Sequence, residues 1–517
     1  MIIDAHIHNL PGTDQRSLAI IRAECRRNGI ALCLLASLGK DRWPQFPAKK
    51  GVSWSNQTAR SLAEKSRGLL RWYAYINPQN ANWRDEMDEC VARGAVGIKL
   101  WVSLKDKCGR LTNTEKALQH ASVLKRPVLM HVFNRTDGSL PGEITLPEFM
   151  ELARRHPQTR MIAAHAGINW PAETGLLRRL PNVWVDICGG DPIKGQVEAL
   201  VREIGADRIL FGSDMIGRSQ ASQLAKIILA DIPAAQKNLI LYRNAAALFG
   251  IEDGLKSRTA ERPCEALGRD ALALPSQKPK KCPVDATEDH FCFCGQWPFF
   301  KSASSSPSEL ISLLVKNGVK RAYVADLGSI YRQDLEAANS AFLKAARGFE
   351  RIRPLATINP RVANWRAVLE KTSPEFAGII LFPFLHGWSL SDARFRPLFR
   401  WCRRHKIKLW INCQLNDTRF RHAGTVSRAV CADELLSYGA SPETPETVFQ
   451  GVSQDVMDAF LKRHAKDKRY GFEISRLTDR TGALRGILKK YGKAHLVMGS
   501  EYPFRDMAEV RWTSRRV

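Results

Sequence analysis

The sequence predicts an α/β protein made of two (β/α)8 TIM barrels in tandem. Three observations carry that expectation. Across the first 250 residues, eight short apolar, β-branched runs alternate with longer segments of helical period. Six ionisable or ligand-type residues, His6, His8, Lys99, His131, His165 and Asp214, stand towards the C-terminal ends of those runs. A nine-residue stretch, INPQNANWR at 76–84, returns 282 positions later as INPRVANWR at 358–366.

The runs are, in order, IIDAHIH (2–8), ALCLLAS (31–37), LRWYAYIN (70–77), AVGIKLW (95–101), PVLMHVF (127–133), RMIAAHA (160–166), VWVDICG (183–189) and ILFGSD (209–214). Segments between them, such as SLAIIRAECRRNG and GQVEALVREIG, place apolar residues at helical spacing and carry a Gly near the end. Near-continuous apolar strands alternating with helices indicate a parallel sheet covered by helices. Eight such units in about 250 residues match a (β/α)8 barrel, with a doubly wound sheet as the competing arrangement. The polar residues favour the barrel. His6 and His8 share one face of the first strand, because side chains alternate with period two. Lys99, His131, His165 and Asp214 close the fourth, fifth, sixth and eighth runs. Barrel active sites gather at C-terminal strand ends, and imidazole with carboxylate suits a divalent transition ion.

Composition sets the outer limits. At 517 residues the chain is long enough for two or more domains. With 44% hydrophobic and 25% charged residues it is neither disordered nor collagen-like. No apolar run reaches the ~18 residues of a membrane span, and MIIDAHIH does not open like a signal peptide. The twelve cysteines are scattered, so a reducing cytoplasm is expected. The net charge of +26 is spread without an arginine-rich run, which reads as a soluble surface and not as a nucleic-acid interface.

DAHIH at 4–8, GIKL at 97–100, His131 after PVLM, AHAG at 164–167, GSD at 212–214 and NAAALFGI at 244–251 together resemble the amidohydrolase superfamily, in its amidohydrolase-related branch. The resemblance covers residues 1–251. It implies that His6, His8, His131 and Asp214 hold a divalent metal and its water. His165 would be a further ligand or would polarise the substrate. Lys99 would either be carboxylated, as a ligand bridging two metals, or grip a substrate carboxylate. Zinc is the expected ion, with Mn, Fe or Co as alternatives, in one or two copies. The implied chemistry is hydrolysis of an amide, lactone or ester bond in a small molecule. A divalent ion lowers the pKa of water from about 15.7 to about 7, Asp214 takes the proton, and the ion or His165 steadies charge on the substrate oxygen. The same branch contains decarboxylases and hydratases of carboxylated rings and unsaturated acids, which is the alternative. A non-catalytic scaffold is the second alternative.

Other residues are weaker pocket candidates. Asn77 ends the third run, Trp101 and Ser103 follow the fourth, and Asn134 and Arg135 follow His131. Asp186 would hydrogen-bond a ligand histidine from behind. The aromatic segment at 43–47 reads as loop packing, or as a lid.

The repeat divides the chain into 1–251, a polar, Pro-bearing linker at 252–283, and a degenerate second barrel at 284–517. AVGIKL pairs with FAGIIL (376–381), VWVDIC with YGFEIS (470–475), and FGSDM with MGSEY (498–502). Lys99 then pairs with Ile380, His131 with Asn412, His165 with Gln450 and Asp214 with Glu501, so the metal set is lost and the copy is expected to be inactive. Three registers compete for its first strand. They place Thr287 and Asp289, Phe291 and Phe293, or His290 and Cys292 at the histidine positions. Only 16 residues follow Glu501, against 37 from Asp214 to Ile251, so the final helix is expected to be missing. The exposed surface would then pack against the first barrel or another subunit. The partners expected are a small-molecule substrate, the other barrel and a second copy of the chain, with no nucleic acid or membrane.

Overall fold

The computed structural model describes residues 1–39, 49–251 and 281–516, apart from residues 102, 137, 168–173, 300–303, 373, 416, 418, 420, 421, 423, 424, 426, 427 and 429. The segment at 43–47 and most of the expected linker lie outside the described residues. Two compact units divide the chain, Met1–Asp191 with Gly195–Pro279, and Pro192–Lys194 with Lys280–Val517.

In the first unit, β1 (Ile3–Ile7), β2 (Leu32–Leu35), β3 (Leu70–Ile76), β4 (Gly97–Leu100), β5 (Val128–Met130), β6 (Met161–Ala163), β7 (Val183–Asp186) and β8 (Ile209–Leu210) pair as parallel neighbours in sequence order. Each lies within one of the eight apolar runs. The sheet closes because the chain after β8 bonds β1: the Ala5 N–H donates to the Phe211 carbonyl, and the Asp214 N–H to the His6 carbonyl, both at 2.8 Å. The first unit is a TIM barrel.

Local sequence starts and stops the connecting helices. Leu146–Arg155 opens on a capping box between Thr145 and Glu148. Asp14–Asn28 ends at Gly29, whose φ of 67° suits a residue without Cβ. Ile3, Leu32, Leu34, Tyr73, Leu129, Ile162 and Leu210 form one buried cluster with the helix Asn244–Phe249. Each large side chain buried in this way stabilises by about 1.5–3 kcal/mol. Polar residues therefore collect at the other end of the strands. A register shift between Asp4 and Ile7 marks the strand that carries the histidines.

The second unit has β9 (Glu288–Gln296), β10 (Ser304–Ser305), β11 (Arg321–Asp326), β12 (Ile352–Thr357), β13 (Gly378–Leu381), β14 (Leu409–Asn412), β15 (Thr447–Gln450), β16 (Tyr470–Glu473) and β17 (Leu496–Val497). Short β10 pairs antiparallel with β9, and the other eight run parallel in sequence order. The closing bonds repeat those of the first unit: the His290 N–H donates to Met498 at 2.8 Å and the Glu501 N–H to Phe291 at 2.6 Å.

These bonds choose among the three registers of β9. Asp4 Oδ1 accepts from the Ser213 N–H at 2.9 Å and the His6 N–H at 3.3 Å. Asp289 Oδ1 accepts from the Ser500 N–H at 3.0 Å and the Phe291 N–H at 3.2 Å. Phe291 and Phe293 therefore stand where His6 and His8 stand, and His290 and Cys292 do not. One pairing needs correction. The His165 N–H bonds Asp186 Oδ1 at 2.8 Å and the Gly451 N–H bonds Glu473 Oε1 at 2.7 Å, which makes Gly451, not Gln450, the counterpart of His165. Its φ of 71° matches the 63° of His165. The tail also departs from expectation: Glu509–Ser514 forms a short helix, with all six residues buried.

Among the described residues no helix is long and apolar enough to cross a membrane.

Candidate metal centre

The strand ends of the first barrel bring His6, His8, Lys99 and Asp214 to one point. His6 Nε2 is 3.1 Å from His8 Nε2 and 3.1 Å from Lys99 Nζ. His8 Nε2 is 3.4 Å from Asp214 Oδ1. Asp214 reaches inward through a left-handed backbone, φ 58°, a conformation that costs of order 1–3 kcal/mol and tends to persist at functional sites. Gly212 lets the chain pass close by, since a Cβ there would come within 2.9 Å of the His6 Cβ.

The remaining ring nitrogens are already committed. His6 Nδ1 bonds Asp186 Oδ2 at 2.7 Å, and His8 Nδ1 bonds the Ala36 carbonyl at 2.8 Å. Carboxylate and carbonyl only accept, so each Nδ1 carries the hydrogen. The His6 and His8 Nε2 atoms are left facing each other, with Lys99 Nζ on the His6 side and Asp214 Oδ1 on the His8 side. Two imidazole nitrogens and a carboxylate oxygen are a donor set that fits zinc or a similar divalent ion. Asp186 thus lies behind His6 and accepts the hydrogen of its Nδ1.

Electrostatics agree with a site kept ready for a cation. Burial, helped by the Lys99 charge, pushes His6 down to about 4, so the ring is neutral at pH 7. Burial pushes Lys99 down to about 8, against the pull of Asp186. Burial alone would raise Asp214, but the His8 hydrogen bond and the neighbouring histidines hold it well below the usual carboxylate range.

His131 and His165 stand beside this point. Their facing atoms, His131 Nδ1 and His165 Nε2, are 3.2 Å apart, and the His165 ring stacks on His6 at 5.5 Å. Burial lowers both histidines, His165 the further. Among the described residues, two overlapping groups have ligand atoms close enough to share an ion, His6–His8–Asp214 and His6–His165–Asp186–Cys188; His131 is in neither. The second group is fully buried and internally bonded. Cys188 Sγ lies 3.0 Å from Asp186 Oδ1, 3.1 Å from His6 Nδ1 and 3.3 Å from His165 Nδ1. It orients the rings from behind, whereas the first group is partly open. Gly189, φ 83°, is required here, because a Cβ would fall 2.0 Å from His165 Nδ1.

The weaker candidates serve their own loops. Asn77 accepts from the Gln79 N–H at 3.0 Å, and Asn134 from the Leu146 N–H at 2.8 Å. Trp101 meets Tyr75 edge-on at 6.2 Å, and Ser103 is buried. Arg135 Nε donates to Glu143 at 2.9 Å. Sequence reasoning missed Glu143 and Cys188. Glu143 also bonds His131, at 2.9 Å. Cys188 lies two residues past Asp186 on the same run, a spacing that could have drawn notice.

The corresponding end of the second barrel has a different content. Phe291, Phe293, Ile380 and Asn412 are buried there. Glu501, φ 54°, repeats the backbone of Asp214. Its Oε1 accepts from Arg476 Nη2 and its Oε2 from Arg505 Nε, both at 2.8 Å. Arg505 also binds Asp479 at 2.7 and 2.5 Å and Glu509 at 3.3 Å.

A parallel barrel with histidines and an aspartate converging at its strand ends is an arrangement able to hold a metal ion. Residues 3–251 match the family described as Amidohydrolase. The first barrel is thus similar to that family over nearly its whole length. Among solved structures, 2,6-dihydroxybenzoate decarboxylase from Rhizobium is 18% identical, with 48% of this chain and 98% of that one covered and a TM-score of 0.37. 4-Oxalomesaconate hydratase from Rhodopseudomonas palustris is 16% identical over 48% of this chain and 96% of its own, TM-score 0.36. A dihydroxybenzoic acid decarboxylase from a Polaromonas species, with bound manganese, is 16% identical over 48% and 97%, TM-score 0.36. No curated protein matches the sequence.

Proposed function

We propose that the first barrel is a metal-dependent hydrolase acting on an amide, lactone or ester bond of a small molecule. The observation that carries this reading is the convergence of His6 Nε2, His8 Nε2 and the Asp214 carboxylate, with both Nδ1 hydrogens committed elsewhere. When bound, a divalent ion acidifies water enough to supply a nucleophile near neutral pH. Zinc is the leading ion, with Mn, Fe or Co as alternatives. His6, His8 and Asp214 would hold it, with His131, His165 and Lys99 alongside. Asp214 is ionised at neutral pH, so it accepts a proton and returns it to the leaving group. His165 is neutral and polarises the substrate oxygen.

Lys99 favours a second reading. Its amine is 1% exposed and 3.1 Å from His6 Nε2, where a cation would grip a substrate carboxylate, as decarboxylation or hydration of an acid would need. Metal analysis of the full chain, followed by a screen of lactones, amides and ring carboxylates, tests both readings. Hydrolysed product supports the first, and release of carbon dioxide or uptake of water across a double bond supports the second. Lys99→Met should raise KM with normal metal content if the amine grips substrate; metal loss would make it a ligand, as carboxylation requires.

We further infer that residues 284–517 are a non-catalytic copy, supported by Glu501 having both oxygens bonded to guanidinium groups.

A further inference from the structure

We propose that Glu143 is a positioning residue of the first barrel: it decides which nitrogen of His131, and through it of His165, carries the hydrogen. The inference rests on the proposed metal site and gives a role to Glu143, which the sequence motifs do not assign.

Glu143 is completely buried. The loop after β5 folds back to place it there: the Phe133 N–H donates to Ile144 and the Glu143 N–H to Leu140, both at 3.0 Å. Its two oxygens are used differently, although Arg135 Nε reaches Oε1 as well, at 3.3 Å. Oε1 lies 2.9 Å from His131 Nε2, and Oε2 accepts from Arg135 Nε and the Leu140 N–H, each at 2.9 Å. Burial pushes the carboxyl up, but the His131 and Arg135 hydrogen bonds hold it below its ordinary range.

An ionised carboxylate only accepts, so the hydrogen must lie on His131 Nε2. In the neutral ring, that leaves Nδ1 without a hydrogen. Nδ1 faces His165 Nε2 at 3.2 Å, so His165 donates from Nε2 and keeps a bare Nδ1. That atom is 3.3 Å from Cys188 Sγ, whose own hydrogen goes to Asp186 Oδ1 at 3.0 Å. The direction of hydrogen bonding therefore runs from His165 through His131 to Glu143. The ring plane is held separately: Phe133 lies parallel to His131 at 5.8 Å, and the Arg135 guanidinium covers Phe133 at 4.4 Å. Packing sets the plane, and Glu143 sets the hydrogen.

Glu143→Gln separates these roles. Two N–H donors point at the Oε2 position, so the amide oxygen of glutamine belongs there. Its NH2 then faces His131 Nε2, which must accept, and the hydrogen moves to Nδ1. The full chain, labelled with 15N-histidine, reports this through long-range proton–nitrogen spectra, with the His131 signals assigned by their loss in His131→Gln. The expected result is hydrogen on Nε2 in the unaltered chain and on Nδ1 in Glu143→Gln. Zinc should also pass to a competing chelator about 10–100-fold more readily in the variant. Glu143→Ala, if it folds, should lose the single tautomer without reversing it. Hydrogen on Nδ1 in the unaltered chain, or still on Nε2 in Glu143→Gln, would overturn the assignment. A chain that shows the reversal but retains no metal would support the positioning role and remove only the metal-hydrolase reading.

Discussion

Asp214 and Glu501 occupy the same backbone position in their barrels, with nearly the same left-handed φ, 58° and 54°. What faces them differs. Asp214 meets His8 Nε2 and, beyond it, His6. Glu501 meets two guanidinium groups, one of which also binds Asp479 and Glu509. A buried carboxylate needs a cation, because an unpaired buried charge is costly. In the proposed reading the first barrel leaves that place to an exchangeable ion, while the second fills it with arginines of its own chain. The strand order and closing bonds are shared, so the chemistry depends on a handful of side chains at the strand ends.

The sharpest way to break this contrast is to neutralise each acid in turn. Asp214→Asn should lower turnover by ~10²–10⁴-fold, the range lost with a proton-transfer group. Glu501→Gln should leave turnover within about twofold of the unaltered chain. Equal losses in steady-state assays would make the second site catalytic.

A second variant concerns stability. Arg505→Met leaves Asp479, Glu501 and Glu509 short of their shared cation and should destabilise the second unit by about 3–5 kcal/mol, read by denaturant unfolding. Metal content should not change. Arg505→Lys should rescue little, since one ammonium cannot reproduce the forked contacts.

The two centres should also respond to pH with opposite sign. Glu473 is pushed up to about 7 by burial and then by the Glu501 charge. A raised carboxyl contributes stability that is complete below the unfolded value of 4.5 and is lost as pH rises towards 7. His6 is lowered from 6.5 to about 4, so the unfolded chain binds the proton first and stability is lost as pH falls across that window. Each shift corresponds to at most about 3 kcal/mol. Glu473→Gln should flatten the first slope and His6→Asn the second in metal-free protein; unchanged slopes would remove these groups as the cause.

The strands and the metal-type residues were legible in the sequence because they obey strong periodic rules. Apolar runs ended in ionisable residues, and His6 and His8 shared a face. Asp186 was legible for the same reason, as a charge inside an apolar strand. Glu143 was not, since it lies in a turn-rich loop where an acidic residue is ordinary, and only the fold brings it under His131. The β9 register was obscured by His290 and Cys292, which looked like ligands. Asp289 fixes the strand instead, through the Ser500 N–H. Gly451 escaped notice because its likeness to His165 lies in the backbone alone. The helix Glu509–Ser514 spans too few residues for a periodic signal.

The central claim is that a divalent ion is held by the first barrel alone. Elemental analysis of the full chain, the His6→Ala/His8→Ala double variant and Glu501→Gln tests it most directly. The account predicts one or two metal equivalents per chain in the unaltered protein and in Glu501→Gln, and almost none in the double variant. Metal kept at the unaltered stoichiometry after loss of both histidines, or lost with Glu501→Gln, would contradict it.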